Sequence, residues 1–209
     1  MRLPDPALLV ITDRRQARMP LADIVEAACA AGCRWFSVRE KDLRAEEQIA
    51  LAASLLKIAR RFGARLMLHG DAELAATAGL DGVHLPSGGD VGGARALLGR
   101  GRLLGISIHN AAEAARLDPA LLDYAIAGPA HETDSKPGYG PPLGSAGIAA
   151  IVSAASVRIL AIGGITADSA RQMLENRAAG IAVMGSVMRS SAPGEEIRRL
   201  IAALAAPTP

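Results

Sequence analysis

The chain has 209 residues, and at this size roughly 70% of the unfolded surface is buried on folding, so one ordinary domain with a sizeable core is expected. Half of the residues are apolar but only five are aromatic, and the 23 basic and 21 acidic side chains are interspersed to a net charge of +2, which speaks against a face for nucleic acid or anionic lipid. No window of about 18 apolar residues occurs, and the opening MRLPDPALLV lacks the basic-then-apolar order of a secretion signal, so the sequence reads as a mature cytoplasmic protein.

The first short apolar run is Leu8 to Thr12, too short and too aliphatic for a helix, and an amphipathic stretch follows from Leu21 to Ala31. Cys29 and Cys33 lie at the next turn without the spacing or companion ligands of a redox or zinc site, and read as buried thiols. A second run, Trp35 to Arg39, leads to a helical segment from Glu46 to Phe62, on which Lys57, Arg60 and Arg61 form a solvated face. Further runs follow at Leu66 to His69, Gly82 to Leu85, Leu103 to Ser107, Tyr124 to Ala127, Ile159 to Ile162 and Gly180 to Met184, with a helix over Ala167 to Glu175 between the last two.

Eight strands, each followed by a helical stretch, predict an α/β fold with a parallel sheet buried on both faces. Closure into a single-domain (βα)8 TIM barrel spanning 1-209 is the expected architecture, with an open doubly wound sheet as the alternative. The Pro- and Gly-rich stretch Lys136 to Gly144 reads as a loop over the barrel mouth.

In such a barrel, chemistry sits in the loops that follow the strands. Thr12 and Asp13 follow the first strand. Arg39, Glu40 and Lys41 end the second, a costly place for charge unless a ligand pairs it or Arg39 bridges to a neighbouring carboxylate. His69, Gly70 and Asp71 end the third, His84 lies on the fourth, and Ser107 and His109 end the fifth. These histidines have neither the spacing nor the acidic company of a metal site. The densest polar run, Gly128 to Lys136, contains His131, Glu132, Thr133, Ser135 and Lys136 and is the main catalytic candidate. Gly163 and Gly164 precede a helix that starts near Thr166, and Gly185 and Ser186 end the last strand. Two such turns side by side point to a phosphate held on backbone N–H groups.

In order and spacing, the segments VITD (10–13), VREK (38–41), DGVHL (81–85), GISIHN (105–110), Gly128 to Lys136, AIGGI (161–165) and GIAVMGS (180–186) resemble the thiamine phosphate synthase and TenI group of barrels. The resemblance implies a thiamine-biosynthesis enzyme whose partner is a small thiazole phosphate; a homo-oligomer is allowed. Synthases of this group join a pyrimidine diphosphate to thiazole phosphate with Mg, and TenI-type members include thiazole tautomerases.

Three places depart from the synthase pattern: Ser37 where a Gln is expected, His69–Gly70 for an Asn-Asp pair, and Pro86 to Gly89 where an Asp is expected. Gly70 removes a magnesium ligand, leaving the displaced Asp71 and Asp90 as the only substitutes. These departures favour a tautomerase-like isomerase that needs no cofactor. His131 is then the proton shuttle, with Lys136, Glu132, Thr133 and Ser135 holding the ring carboxylate and the loop. Pro129 stands where such members carry their histidine, so His131 would have to reach the same space from two residues further on. The alternative is the synthase, in which Arg39 and Lys41 bind the diphosphate and Ser107 lines the pyrimidine pocket. A third reading is a non-catalytic binder of thiazole or thiamine phosphate.

Overall fold

A computed structural model describes residues 2–133 and 141–205. Eight parallel strands pair in sequence order and close on themselves: β1 (Leu8–Ile11), β2 (Trp35–Val38), β3 (Arg65–His69), β4 (Gly82–Leu85), β5 (Leu103–Ile108), β6 (Tyr124–Ala127), β7 (Arg158–Ile162) and β8 (Gly180–Val183). The ring is sealed by β1 pairing with β8, Leu8 opposite Ile181 and Val10 opposite Val183. The fold is thus the expected (βα)8 barrel, and the open-sheet alternative is excluded by this last pairing.

The helices are α1 (Leu21–Ala30), α2 (Ala45–Arg61), α3 (Ala72–Thr77), α4 (Val91–Leu98), α5 (Ala111–Ala114), α6 (Gly144–Ala154), α7 (Ala167–Glu175), α8 (Gly185–Met188) and α9 (Pro193–Ala205). No helix among the described residues is long and apolar enough to cross a membrane.

Alternation along the strands divides the apolar residues into two cores. Leu8, Val10, Phe36, Val38, Leu66, Leu68, Val83 and Leu85 face outward under the helices, where Ile24, Val25 and Leu55 meet them. Leu9, Ile11, Trp35, Met67, Leu103, Tyr124 and Leu160 face inward and fill the barrel. Each large side chain fully buried in either core contributes about 1.5–3 kcal/mol. Cys29 and Cys33 are buried thiols, whose pKa values burial pushes up to about 11 and about 12.

The inner core stops short of the C-terminal ends of the strands. Above Trp35 and Tyr124 the inward positions become Ser37, His69, His84 and Ser107, and a cavity opens there.

Candidate functional site

The cavity at the barrel mouth has a volume of about 340 Å³. Arg39, His69, His84, Ser107, His109, Glu132, Thr133, Gly163, Gly164, Gly185 and Ser186, all singled out in the sequence, line it. Ile11, Ile126, Ile162 and Ala182 supply its apolar floor.

The turns after β7 and β8 meet at one side. Gly163 and Gly164 have φ values of +104° and +59°, in the region that glycine adopts without strain. A Cβ on Gly163 would stand 2.7 Å from Pro129 Cβ, and one on Gly164 would stand 2.8 Å from His131 Cβ. The loop after β6 therefore packs directly on these glycines, and their backbone edge is left facing the cavity. Thr166 caps α7, its hydroxyl accepting from Ser169 N at 3.3 Å, so a helix of nine residues starts at the wall. Gly185 and Ser186 complete this corner from the end of β8.

The corner at the end of β2 is cationic. Arg39 is half-buried, and its side chain has no carboxylate partner among the described residues. The bridge that Arg39 could have made is made instead by its neighbour Glu40, which accepts from Thr12 Oγ1 at 2.7 Å and from Arg14 N at 3.1 Å. Burial raises the Glu40 pKa above the ordinary carboxylate value, and these hydrogen bonds oppose the rise. Lys41 does not line the cavity, yet desolvation and the charge of Arg39 lower its pKa, and its own charge helps to depress that of His84. Two like charges thus stand close together at the rim.

The histidines differ in state. His84 is fully buried, with Nδ1 at 3.1 Å from Tyr124 Oη and Nε2 at 2.9 Å from Ser107 Oγ. Burial, then the Lys41 charge, pushes its pKa down to about 3, so the ring is neutral near pH 7. His109 Nδ1 lies 2.9 Å from the Gly128 carbonyl, which only accepts, so Nδ1 carries the proton and Nε2 of the neutral ring is an acceptor.

His131 is not brought to the cavity wall. Its N–H donates to the Gly163 carbonyl at 3.0 Å and its Cβ sits under Gly164, while Nε2 is buried with no hydrogen-bond partner among the described residues. Ser135 and Lys136 lie outside the described residues, as does most of the Lys136 to Gly144 loop.

The magnesium that the synthase resemblance implies does not fit the donors present. Asp71 Oδ1 accepts from Glu73 N at 2.7 Å and Leu74 N at 3.1 Å, and Asp90 Oδ1 accepts from Gly93 N at 2.9 Å. Both carboxylates are thus helix caps, and neither lines the cavity. Among the described residues no group of three or more His, Cys, Asp or Glu side chains could hold a metal.

Two contributors were not singled out from the sequence. Tyr124 reads as a core aromatic, and its link to His84 depends on register. Arg189 follows Ser186 by three residues, lines the cavity and donates to Gln16 Oε1, which in turn donates from Nε2 to Asp13 Oδ2 at 2.7 Å. A basic residue one helical turn past the Gly-Ser pair was the available signal.

Comparison with known proteins agrees over nearly the whole chain. The family described as thiamine monophosphate synthase matches residues 8–187. A putative thiamine-phosphate synthase from Geobacter sulfurreducens is 39% identical over 202 residues, 96% of this chain and 95% of the relative. A thiamine-phosphate synthase from Chlorobium luteolum is 36% identical, covering 94% of this chain and 92% of its own. Among solved structures, thiamine phosphate pyrophosphorylase from Pyrococcus furiosus superposes with a TM-score of 0.83 at 27% identity, covering 94% of each chain. Motif order, barrel topology and full-length similarity coincide, and the chain belongs to the thiamine monophosphate synthase family.

Proposed function

We propose that this protein is a transferase of the thiamine-phosphate synthase type. The thiazole ring nitrogen attacks the methylene carbon of hydroxymethylpyrimidine diphosphate. The carbon–oxygen bond to the diphosphate breaks with its electron pair on the leaving group, giving thiamine phosphate and diphosphate. The names of the full-length relatives favour this reading over the isomerase that the sequence departures suggest.

The observation that carries it is one cavity with two anion-suited corners. The turns of Gly163, Gly164, Gly185 and Ser186 suit the thiazole phosphate. At the end of β2, half-buried Arg39 has no carboxylate partner among the described residues and the exposed Lys41 adds a second cation at the rim, an arrangement that a diphosphate fits. Ser107 lies between the corners on the wall assigned to the pyrimidine. Thr133 faces the same space, and Ser135 and Lys136 of its loop are assigned to the leaving diphosphate. The donors present support no step through magnesium, so charge neutralisation is assigned to these cations.

The test is ³¹P NMR of the purified protein with both substrates, with and without added magnesium. Equal amounts of thiamine phosphate and diphosphate are expected. Absence of both products under both conditions overturns the reading.

A second reading, a thiazole tautomerase, is favoured by one observation: His69 and Gly70 line or border the cavity mouth where the synthase pattern has an Asn-Asp pair, so a hard oxygen donor is missing there. The base would be His109, whose Nε2 is an acceptor, since the His131 ring is not on the wall. Conversion of the dihydrothiazole carboxylate phosphate to its aromatic isomer by the wild type, lost in His109→Asn and kept in His131→Asn, would establish it.

A further inference from the structure

The register aligns His69, His84, Gly105 and Tyr124 in one row across β3 to β6. A Cβ on Gly105 would overlap the Tyr124 ring, so the phenol crosses the glycine position to reach the histidine on the far side. Tyr124 Oη lies 3.1 Å from His84 Nδ1, and His84 Nε2 lies 2.9 Å from Ser107 Oγ. Ser107 stands two residues beyond Gly105 on the same face of β5, half-buried against the cavity. A hydrogen-bonded chain therefore runs from the barrel core to the substrate wall.

Chemistry gives the chain a direction. A neutral imidazole carries one proton, and the fully buried His84 ring is neutral. Tyr124 keeps its proton, because burial raises its pKa well above the ordinary phenol value. Two acceptors reach its hydroxyl among the described residues: His84 Nδ1, and Met67 Sδ at 3.8 Å. The sulfur already takes the Trp35 indole N–H at 2.8 Å, and a thioether is a weak acceptor. The phenol therefore donates to Nδ1, the ring proton sits on Nε2, and Nε2–H donates to Ser107 Oγ. With its oxygen accepting from the ring, the serine hydroxyl has its own hydrogen left for the cavity.

We propose that Tyr124, acting through His84, fixes Ser107 as a hydrogen-bond donor toward the substrate, so that this wall selects a ligand with an acceptor atom there, a ring nitrogen or a carboxylate oxygen. Tyr124 and His84 are positioning residues and Ser107 makes the contact. The selection rests on this cavity being the substrate site, whereas the polarity of the chain does not. Among the described residues, the Lys41 charge acts on the ring and the His69 ring lies beside it, with centroids 4.8 Å apart.

Side-chain ¹H–¹⁵N correlation spectra of the wild-type protein without ligand read the polarity directly. His84 is expected with a protonated Nε2 and a bare Nδ1, unchanged from about pH 8 to about pH 5, where an ordinary histidine titrates. A proton on Nδ1, or titration in that range, overturns the proposal whatever the enzyme's activity.

Tyr124→Phe keeps the ring that fills the space beside Gly105 and removes only the hydroxyl. It is expected to mix the two tautomers and to raise KM for the pyrimidine diphosphate about fivefold, the worth of one neutral hydrogen bond, with kcat nearly constant. Ser107→Ala should give the same increase, the double variant no more, and Ser107→Thr should restore the wild-type value. If the tautomer is as expected but Ser107→Ala leaves KM unchanged, the selection is refuted while the polarity stands. If the wild type makes no product, the site reading has failed independently of the spectra.

Discussion

The two corners of the cavity are built on different principles. At the turns after β7 and β8, the wall is backbone: Gly163, Gly164 and Gly185 bring no side chains, and Pro129 and His131 hold the Gly163–Gly164 turn by packing. At the ends of β2 to β5, the contacts are side chains, Arg39, His69, His84 and Ser107, whose states depend on their neighbours. Backbone donors survive almost any substitution that spares the glycines, whereas a side-chain corner changes with one residue. All three departures from the synthase pattern, at Ser37, His69–Gly70 and Pro86 to Gly89, fall on the side-chain half. In the proposed function, phosphate recognition and reaction type are thus assigned to separate halves of the cavity, and the backbone half is the less exposed to single substitutions.

The contrast breaks if the side-chain corner proves dispensable. Arg39→Ala leaves Lys41 as the only cation of the pair, and the diphosphate-dependent kcat/KM is expected to fall by about two to three orders of magnitude. Retention of more than a tenth of the wild-type kcat/KM would show that the rim cations do not meet the leaving group.

The buried His84 gives the side-chain corner a pH signature. Below about pH 6.5 an unfolded histidine takes up a proton that folded His84 refuses until about pH 3. The unfolded state then binds more protons, so stability is lost as the pH falls across that window, by up to about 1.4 kcal/mol per unit. Glu40, its pKa raised by burial, acts in the opposite sense, but equally in wild type and variant. Urea unfolding of wild type and His84→Phe between about pH 6 and pH 4 should show the steeper loss in the wild type. Parallel slopes would mean that the ring is not held neutral by burial.

What could be read from the sequence follows the same division. The strand runs were legible because all eight are short, largely apolar and punctuated, and observed boundaries differ by one residue at most, as at β1, which ends at Ile11 where Thr12 was expected. The glycine turns were legible because a Gly-Gly before a cap residue has few uses other than a tight turn. Side-chain direction was not legible on β4, since Val83, His84 and Leu85 are all buried and no polar face marks the alternation. Nor was the position of His131, which depends on how the loop after β6 packs on Gly163 and Gly164. That packing is a contact between residues some thirty positions apart in the chain.

The displaced carboxylates sharpen the comparison with a smaller effect. Asp90→Ala should cost about 1 kcal/mol, the usual worth of an N-cap, in urea unfolding. Magnesium affinity by titration calorimetry should be unchanged, because Asp90 already accepts from Gly93 N and does not line the cavity. Loss of measurable magnesium binding in this variant would place a metal where the donor set argues against one.

Arg189 tests the backbone corner from within, because it is a cationic side chain lining the cavity with the Gly163–Gly164 and Gly185–Ser186 turns. It begins one helical turn after Gly185, its N–H donating to the Gly185 carbonyl at 3.0 Å, and its guanidinium donates to the amide oxygen of Gln16. The side chain is exposed, so its attraction for a phosphate is screened by water and salt, and an exposed pair is worth about 0.2–1 kcal/mol. If the backbone donors dominate, Arg189→Gln should raise KM for thiazole phosphate by only about two- to fivefold, with kcat unchanged and the difference shrinking as salt is added. An increase of about a hundredfold would reverse the assignment, making the phosphate corner a side-chain site like its counterpart at the ends of β2 to β5.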